Sequence, residues 1–170
     1  MDVRPTSDRL RETLFNVLTA GRPTALQDTV WIDAYAGTGA VGIEALSRGA
    51  ATVYFIESFR AAAAAIRENL KSLAIDDGFE VHEREVETAL RQLETAAVTC
   101  DFCFLDPPWA DGEAYEQALD LLGQSQLLKP ASIVIAEHDK RSDPGEKFGA
   151  LVRSRRLDQG DASLSFYRLA

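Results

Sequence analysis

A strand-length apolar run, Thr29-Val30-Trp31-Ile32-Asp33-Ala34, leads into a glycine-rich loop, Ala36-Gly37-Thr38-Gly39, and then into a short helical stretch that passes Leu46 and stops at Gly49. No other feature narrows the possible folds as far. A strand that turns through glycines into a helix is the opening unit of a parallel sheet, because the helix returns the chain so that the next strand can lie alongside the first. The next strand follows at Thr52-Val53-Tyr54-Phe55-Ile56-Glu57, with an alanine-rich helix over 60–73. A turn at Asp77-Gly78, a strand over 79–82, a helix over 86–97, a strand Asp101-Phe102-Cys103-Phe104-Leu105-Asp106, a helix near 115–122 and a strand over 132–137 continue the alternation.

Ahead of this series, Arg4-Pro5-Thr6-Ser7 reads as an extended lead-in whose hydroxyl residues can cap a helix, with Asp8 suited to the helix's positive end. Leu10, Leu14, Val17 and Leu18 then recur at helical spacing. At the other end, strands over 151–155 and 163–168 are separated by a polar turn, Asp158-Gln159-Gly160-Asp161, too short for a crossover helix, so they pair antiparallel. The expected fold is α/β and Rossmann-like: one domain over 1–170, with a mostly parallel twisted sheet, an antiparallel C-terminal edge hairpin, and a ligand at the carboxyl ends of the strands.

A chain of 170 residues can bury about 70% of the surface its unfolded form exposes, so it needs neither disulfide nor metal to hold a core. Its apolar runs are strand-length and its start shows no secretion signal, so a cytoplasmic protein is expected, and its two cysteines suit a reducing compartment. The net charge of −9 argues against a broad nucleic-acid face, but 13 of the 27 acidic residues fall within 76–120, against 2 basic ones. Arg4, Arg9, Arg11 and Arg22 near the front, with Arg153, Arg155 and Arg156 near the back, leave room for a modest basic surface.

Gly37-x-Gly39-x-x-Gly42, with Glu57 twenty residues beyond Gly37 at the end of the next strand, meets the nucleotide-cofactor fingerprint of tight turn, close backbone approach and a carboxylate for ribose hydroxyls. The pattern alone leaves the cofactor open. Asp33, just ahead of the loop, would repel a pyrophosphate and suits the cationic end of S-adenosylmethionine. Asp106-Pro107-Pro108-Trp109 closes the fourth strand, where a doubly wound sheet presents its reactive groups. Two prolines end the strand and keep the Pro107 carbonyl out of the ladder. The Asp106 carboxylate and that carbonyl can then each accept one hydrogen from an exocyclic amine, aiming its lone pair at a methyl donor, while Trp109 offers a flat face to an unstacked base. Cys100-x-x-Cys103 falls at or within a strand instead of at a helix start, which favours structural cysteines, and His138 is expected at the surface or hydrogen-bonded.

Three stretches together resemble the bacterial small-subunit ribosomal RNA guanine-N2 methyltransferases: Arg4 to Asn16, Asp33 to Ala50, and Asp106-Pro107-Pro108-Trp109, with the closing Ser165-Phe166-Tyr167-Arg168 also similar. The resemblance implies a seven-stranded methyltransferase fold and transfer of methyl from S-adenosylmethionine to a guanine amine, without a metal. It implies that Asp33, Gly37 and Gly39 surround the methionine part of the cofactor, that Glu57 holds the ribose, and that Glu85 and the Val86 N–H meet the adenine. Asp106 and Pro107 would orient the amine, Trp109 would stack on the base with Pro108 beside it, and Arg4, Thr6 and Arg9 would face the cofactor or RNA phosphate. The implied partner is ribosomal RNA or the assembling small subunit, met by a monomer. The family usually carries a basic hairpin ahead of the Arg-Pro-Thr segment, and this chain begins three residues before that segment, as a natural short form or a truncated one. It also has Trp109 where Phe or Tyr is commoner. The same acceptor geometry would serve DNA adenine or protein glutamine, and a cofactor-binding module without activity, or an NAD oxidoreductase, are the competing readings.

Overall fold

The computed structural model describes residues 7–170. Helix α1 (Asp8–Thr19) starts where the Ser7 hydroxyl accepts the Leu10 N–H at 3.2 Å, so one of the unpaired amides of the first turn is satisfied by the preceding side chain. There follow β1 (Val30–Ala34), α2 (Ala40–Ser47), β2 (Thr52–Ile56), α3 (Arg60–Ser72), β3 (Phe79–His82), α4 (Val86–Thr95), β4 (Cys100–Leu105), α5 (Gly112–Gln124), β5 (Leu128–Asp139), β6 (Lys147–Phe148), β7 (Leu151–Gln159) and β8 (Ala162–Leu169).

All eight strands form one sheet in the order β3-β2-β1-β4-β5-β8-β7-β6. The first five are parallel, and β8 runs antiparallel between β5 and β7. The two-residue β6 adds an eighth strand to the seven expected and lies outside β7, so the C-terminal hairpin is not the bare edge. Two residues are too few to leave a hydrophobic period in a sequence. Strand β5 begins at Leu128, four residues ahead of the expected start, because a register shift between Cys100 and Phe102 lets β4 follow it past Pro130.

Alternation along the strands divides the core in two. Trp31, Phe55, Phe102, Phe104, Ile135 and Phe166 face α1, α2 and α3, whereas Ile32, Ile56, Cys103, Leu105, Val134 and Tyr167 face α4 and α5. Phe15, Trp31 and Phe102 stack at centroid separations of 5.6 and 4.8 Å, which seats α1 on β1 and β4. Both cysteines are buried, and burial pushes the Cys100 thiol up to about 12 and raises Cys103 as well. They pack as small apolar side chains. No helix among the described residues is long and apolar enough to cross a membrane.

The strand order turns back on itself at β1, since β2 and β3 extend the sheet to one side and β4 and β5 to the other. At such a switch point the loops leaving neighbouring strands diverge and open a crevice at the carboxyl ends. Ala34 of β1 lies opposite Leu105 of β4, so the glycine loop and the Asp-Pro-Pro turn leave the sheet side by side.

A candidate active site where β1 and β4 part

The loop after β1 is held by carboxylates of its own surroundings. Asp33 is 2% exposed, and its Oδ2 accepts the Gly42 N–H at 2.9 Å. Burial pushes its carboxyl up to about 8; the Gly42 N–H opposes that shift and the nearby Glu57 adds to it. Glu57, also buried, accepts the Gly37 N–H on Oε1 at 2.8 Å and the Phe59 N–H on Oε2 at 2.9 Å. Each oxygen of a carboxylate has two acceptor positions, so Glu57 retains one on each for a further hydroxyl donor.

Backbone geometry explains the glycines. Gly39 has φ +84 as it starts α2, in the left-handed region where a side chain is disfavoured. A Cβ at Gly42 would fall 2.3 Å from the Phe55 ring and 2.8 Å from Val53, so this glycine lets α2 lie directly on β2. Tyr35 holds φ +57, a conformation that costs a non-glycine residue about 1–2 kcal/mol, as the chain leaves β1 for the loop. Asn69 of α3 donates to the Thr38 carbonyl at 3.0 Å and pins the loop from outside.

Across the crevice, Asp106 is half-buried directly after β4, Pro107 is buried, Pro108 is exposed and Trp109 is half-buried. The Asp111 N–H donates to the Pro108 carbonyl at 2.9 Å, and the Asp111 side chain caps α5 by accepting the Ala114 N–H at 3.0 Å. Beyond β3, Glu85 is exposed at the start of α4, and Val86 supplies a first-turn amide that has no acceptor within the helix, its side chain lying in the core.

The structure therefore brings Asp33, Gly37, Gly39 and Glu57 together at the ends of β1 and β2, with Gly42 bonded to Asp33 and Gly37 to Glu57, and sets Asp106, Pro107 and Trp109 on the neighbouring strand's exit. Arg9 is exposed on the first turn of α1, and among the described residues no hydrogen bond or ion pair joins its side chain to either group. Arg4 and Thr6 lie outside the described residues. Two of the three C-terminal arginines are engaged within the fold: Arg153 pairs with Asp143, and Arg156 with Asp143 and Asp158 at 2.9 and 3.0 Å. The basic surface suggested by the sequence is reduced accordingly. His138 is fully buried, with Nδ1 2.8 Å from the Asp139 carbonyl and Nε2 2.8 Å from the Ser165 hydroxyl, and burial lowers its pKa. A neutral ring that donates from Nδ1 and accepts at Nε2 satisfies both contacts.

Two residues escaped the sequence reading. Phe59, 41% exposed, stands beside the Glu57 carboxylate with its own N–H bonded to it; an aromatic two residues after Glu57 and just ahead of a helix was the available signal. Tyr115, buried in α5, places its hydroxyl 2.6 Å from the Glu137 carbonyl and 3.4 Å from the Pro107 carbonyl, for which a single sequence holds no signal.

A family model described as conserved hypothetical protein 95 matches residues 1–168. The ribosomal RNA small subunit methyltransferase D of Haemophilus influenzae is 36% identical over 139 residues, 81% of this chain and 69% of that protein. The chain belongs to this methyltransferase family. Among solved structures, that of yhhF from Escherichia coli, described as a methyltransferase, superposes with a TM-score of 0.82 at 29% identity, covering 100% of this chain and 92% of its own. An RNA methyltransferase from Salinibacter ruber, in complex with S-adenosyl-L-homocysteine, shares the family's fold at 15% identity and a TM-score of 0.72, covering 98% of this chain and 94% of that one.

Proposed function

We propose that the chain is an S-adenosylmethionine-dependent methyltransferase that acts on the exocyclic N2 amine of a guanine in small-subunit ribosomal RNA. The observation that carries this reading is the adjacency of two unlike units at the switch point, a carboxylate-lined glycine loop leaving β1 and an Asp-Pro-Pro turn leaving β4. The residues present fit the donor. Two buried carboxylates beside the loop, at the ends of β1 and β2, disfavour a pyrophosphate, and Asp33, held up by burial, would be drawn to its anionic form by a cation placed beside it.

S-adenosylmethionine supplies, when bound, a methyl group already activated by its sulfonium charge. Asp33 and the backbone of Gly37 and Gly39 would hold the cationic amino-acid end. Glu57 would take two ribose hydroxyls on its remaining acceptor positions, Phe59 would lie against the adenine ring, and Glu85 with the Val86 N–H would meet the adenine edge. Asp106 and the Pro107 carbonyl would each accept one hydrogen of the target amine, which turns the nitrogen lone pair away from the base and toward the crevice. As the new N–C bond forms and the methyl's bond to sulfur breaks, its electron pair staying on sulfur, the nitrogen becomes positive. Asp106 stabilises that charge until the proton leaves to water. Trp109 and Pro108 would pack against the base, and Arg4, Thr6 and Arg9 would face cofactor or RNA phosphate. Most of the acceleration then comes from orientation, since the fold brings both reactants to one place in fixed attitudes. Ribosomal RNA, or the assembling small subunit in the cytoplasm, is the partner this chemistry and the family favour.

The test is mass spectrometry of nucleosides from unmodified small-subunit ribosomal RNA and immature subunits after incubation with the chain and labelled donor. N2-methylguanosine is the expected product. Methyl found in adenine of DNA or in protein glutamine would replace the guanine reading, and donor binding with no transfer to any of these would reduce the chain to a cofactor-binding module.

A further inference from the structure

The Pro107 carbonyl belongs to a turn whose usual support is missing. The Lys140 N–H bonds to the Asp161 carbonyl at 3.0 Å, which sets the phase of the antiparallel β5–β8 ladder: backbone groups of residues 136 and 138 point to β8, and those of Glu137 point to β4. With Leu105 opposite Ala136, Asp106 falls opposite Glu137. In a parallel ladder the Glu137 carbonyl then takes its hydrogen from the residue after Asp106. That residue is Pro107, which has no N–H.

Tyr115 stands in the gap. Its hydroxyl lies 2.6 Å from the Glu137 carbonyl oxygen and 3.4 Å from that of Pro107, and its ring is fixed edge-on against His138 at 6.5 Å and 87°. We propose that the Tyr115 hydroxyl replaces the missing Pro107 N–H as the last rung between β4 and β5, and so acts as a positioning residue for the carbonyl that receives the substrate amine. This rests on the reading of Pro107 as an amine acceptor. The hydroxyl has one hydrogen, held mainly by the Glu137 carbonyl and shared through the longer contact with that of Pro107, so the phenol bridges the two strands while an acceptor position of the Pro107 oxygen remains for the substrate. Burial, with Asp106 and Glu137 nearby, raises the Tyr115 phenol well above its ordinary range, so it stays a donor throughout the working pH range.

Tyr115→Phe removes one oxygen and keeps the ring. The expected kinetic result is a kcat lowered about tenfold, with KM for RNA and Kd for the donor within about twofold of the parent, because neither binding surface loses a contact. An unchanged kcat overturns the positioning role. A thermal-unfolding cycle tests the rung without any activity. Pro107→Ala restores the N–H, so Tyr115→Phe should lower Tm by about 3 °C in the parent and by less than about half as much in the Pro107→Ala background. Folding of Tyr115→Phe only alongside Pro107→Ala would be the extreme form of the same coupling. Equal losses in both backgrounds, or failure to fold in both, overturn the rung. If the parent transfers no methyl to RNA, the proposed function fails while this cycle still decides the rung.

Discussion

The two sides of the crevice are built on opposite plans. On the β1 side, loop amides are matched by side chains of the same neighbourhood: Gly42 by Asp33, Gly37 and Phe59 by Glu57. On the β4 side two residues without an N–H follow Asp106, and the turn is tied through its carbonyls instead: that of Pro108 accepts the Asp111 N–H at 2.9 Å and that of Pro107 lies 3.4 Å from the Tyr115 hydroxyl. A surface that must grip a small, constant molecule gains from closing its own polar groups into a rigid cradle. In the proposed function the second side receives an NH2 group, and two successive residues without an N–H present carbonyl acceptors there and no amide donor. The difference assigns different failures to the two sides, and that separation can be attacked directly.

The largest effect is expected at the acceptor. Asp106→Ala should lower the rate of methyl transfer by about 10²–10³-fold while leaving donor affinity, measured by calorimetry, unchanged; a matching loss of donor binding would merge the two sides into one. Gly42→Ala strikes the cradle through packing alone. Its new methyl would meet the Phe55 ring at 2.3 Å, and α2 would have to lift at a cost of about 1–3 kcal/mol, read as a lowered Tm and denaturant midpoint. Unaltered stability would mean that α2 does not bear on β2 as described.

Glu57→Gln should weaken donor binding by about tenfold with little change in kcat at saturating donor, because an amide must turn one NH2 toward the Gly37 or Phe59 N–H that the carboxylate accepts. The smallest and most diagnostic change is Asp33→Asn. The Asp33 carboxyl is raised from 3.8 to about 8 in the fold, so its contribution to stability is complete below pH 3.8 and is lost as pH rises through about 8. The variant lacks that loss. Its Tm should gain on the parent between pH 5 and pH 9 in the absence of donor, while its donor affinity falls; parallel Tm curves would show that Asp33 does not titrate there.

The sequence made the cradle legible because each part sits within a few residues of a strand end, and strand ends follow from apolar runs. Asp33, Gly37, Gly39 and Glu57 were found this way. Gly42 shows why the spacing has a third glycine, since its meaning lies in the Val53 methyl and the Phe55 ring on the neighbouring β2. The Asp-Pro-Pro turn was equally plain, as prolines punctuate a strand without help from context. What stayed hidden depends on register. That Tyr115 meets Glu137 and Pro107 follows from how α5 lies over β4 and β5, and three separate segments must be placed before it can be seen. The arginines of β7 illustrate the converse. Their charge was visible, but Asp143 as their counter-ion came from a loop whose path only the folded chain defines.

Strand β8 is last in chain order, yet it lies inside the sheet with β5 on one flank and β7 on the other, and it brings Leu164 and Phe166 under α1, the first helix. Thr13 of α1 also bonds Gln159 at the hairpin, 146 residues away, at 2.6 Å. During synthesis, then, the opening helix waits for the closing strand before much of its apolar face is covered, and β5 has no partner on its far side until that strand arrives. Folding of this domain therefore leans on contacts between segments far apart in the chain more than on any local nucleus.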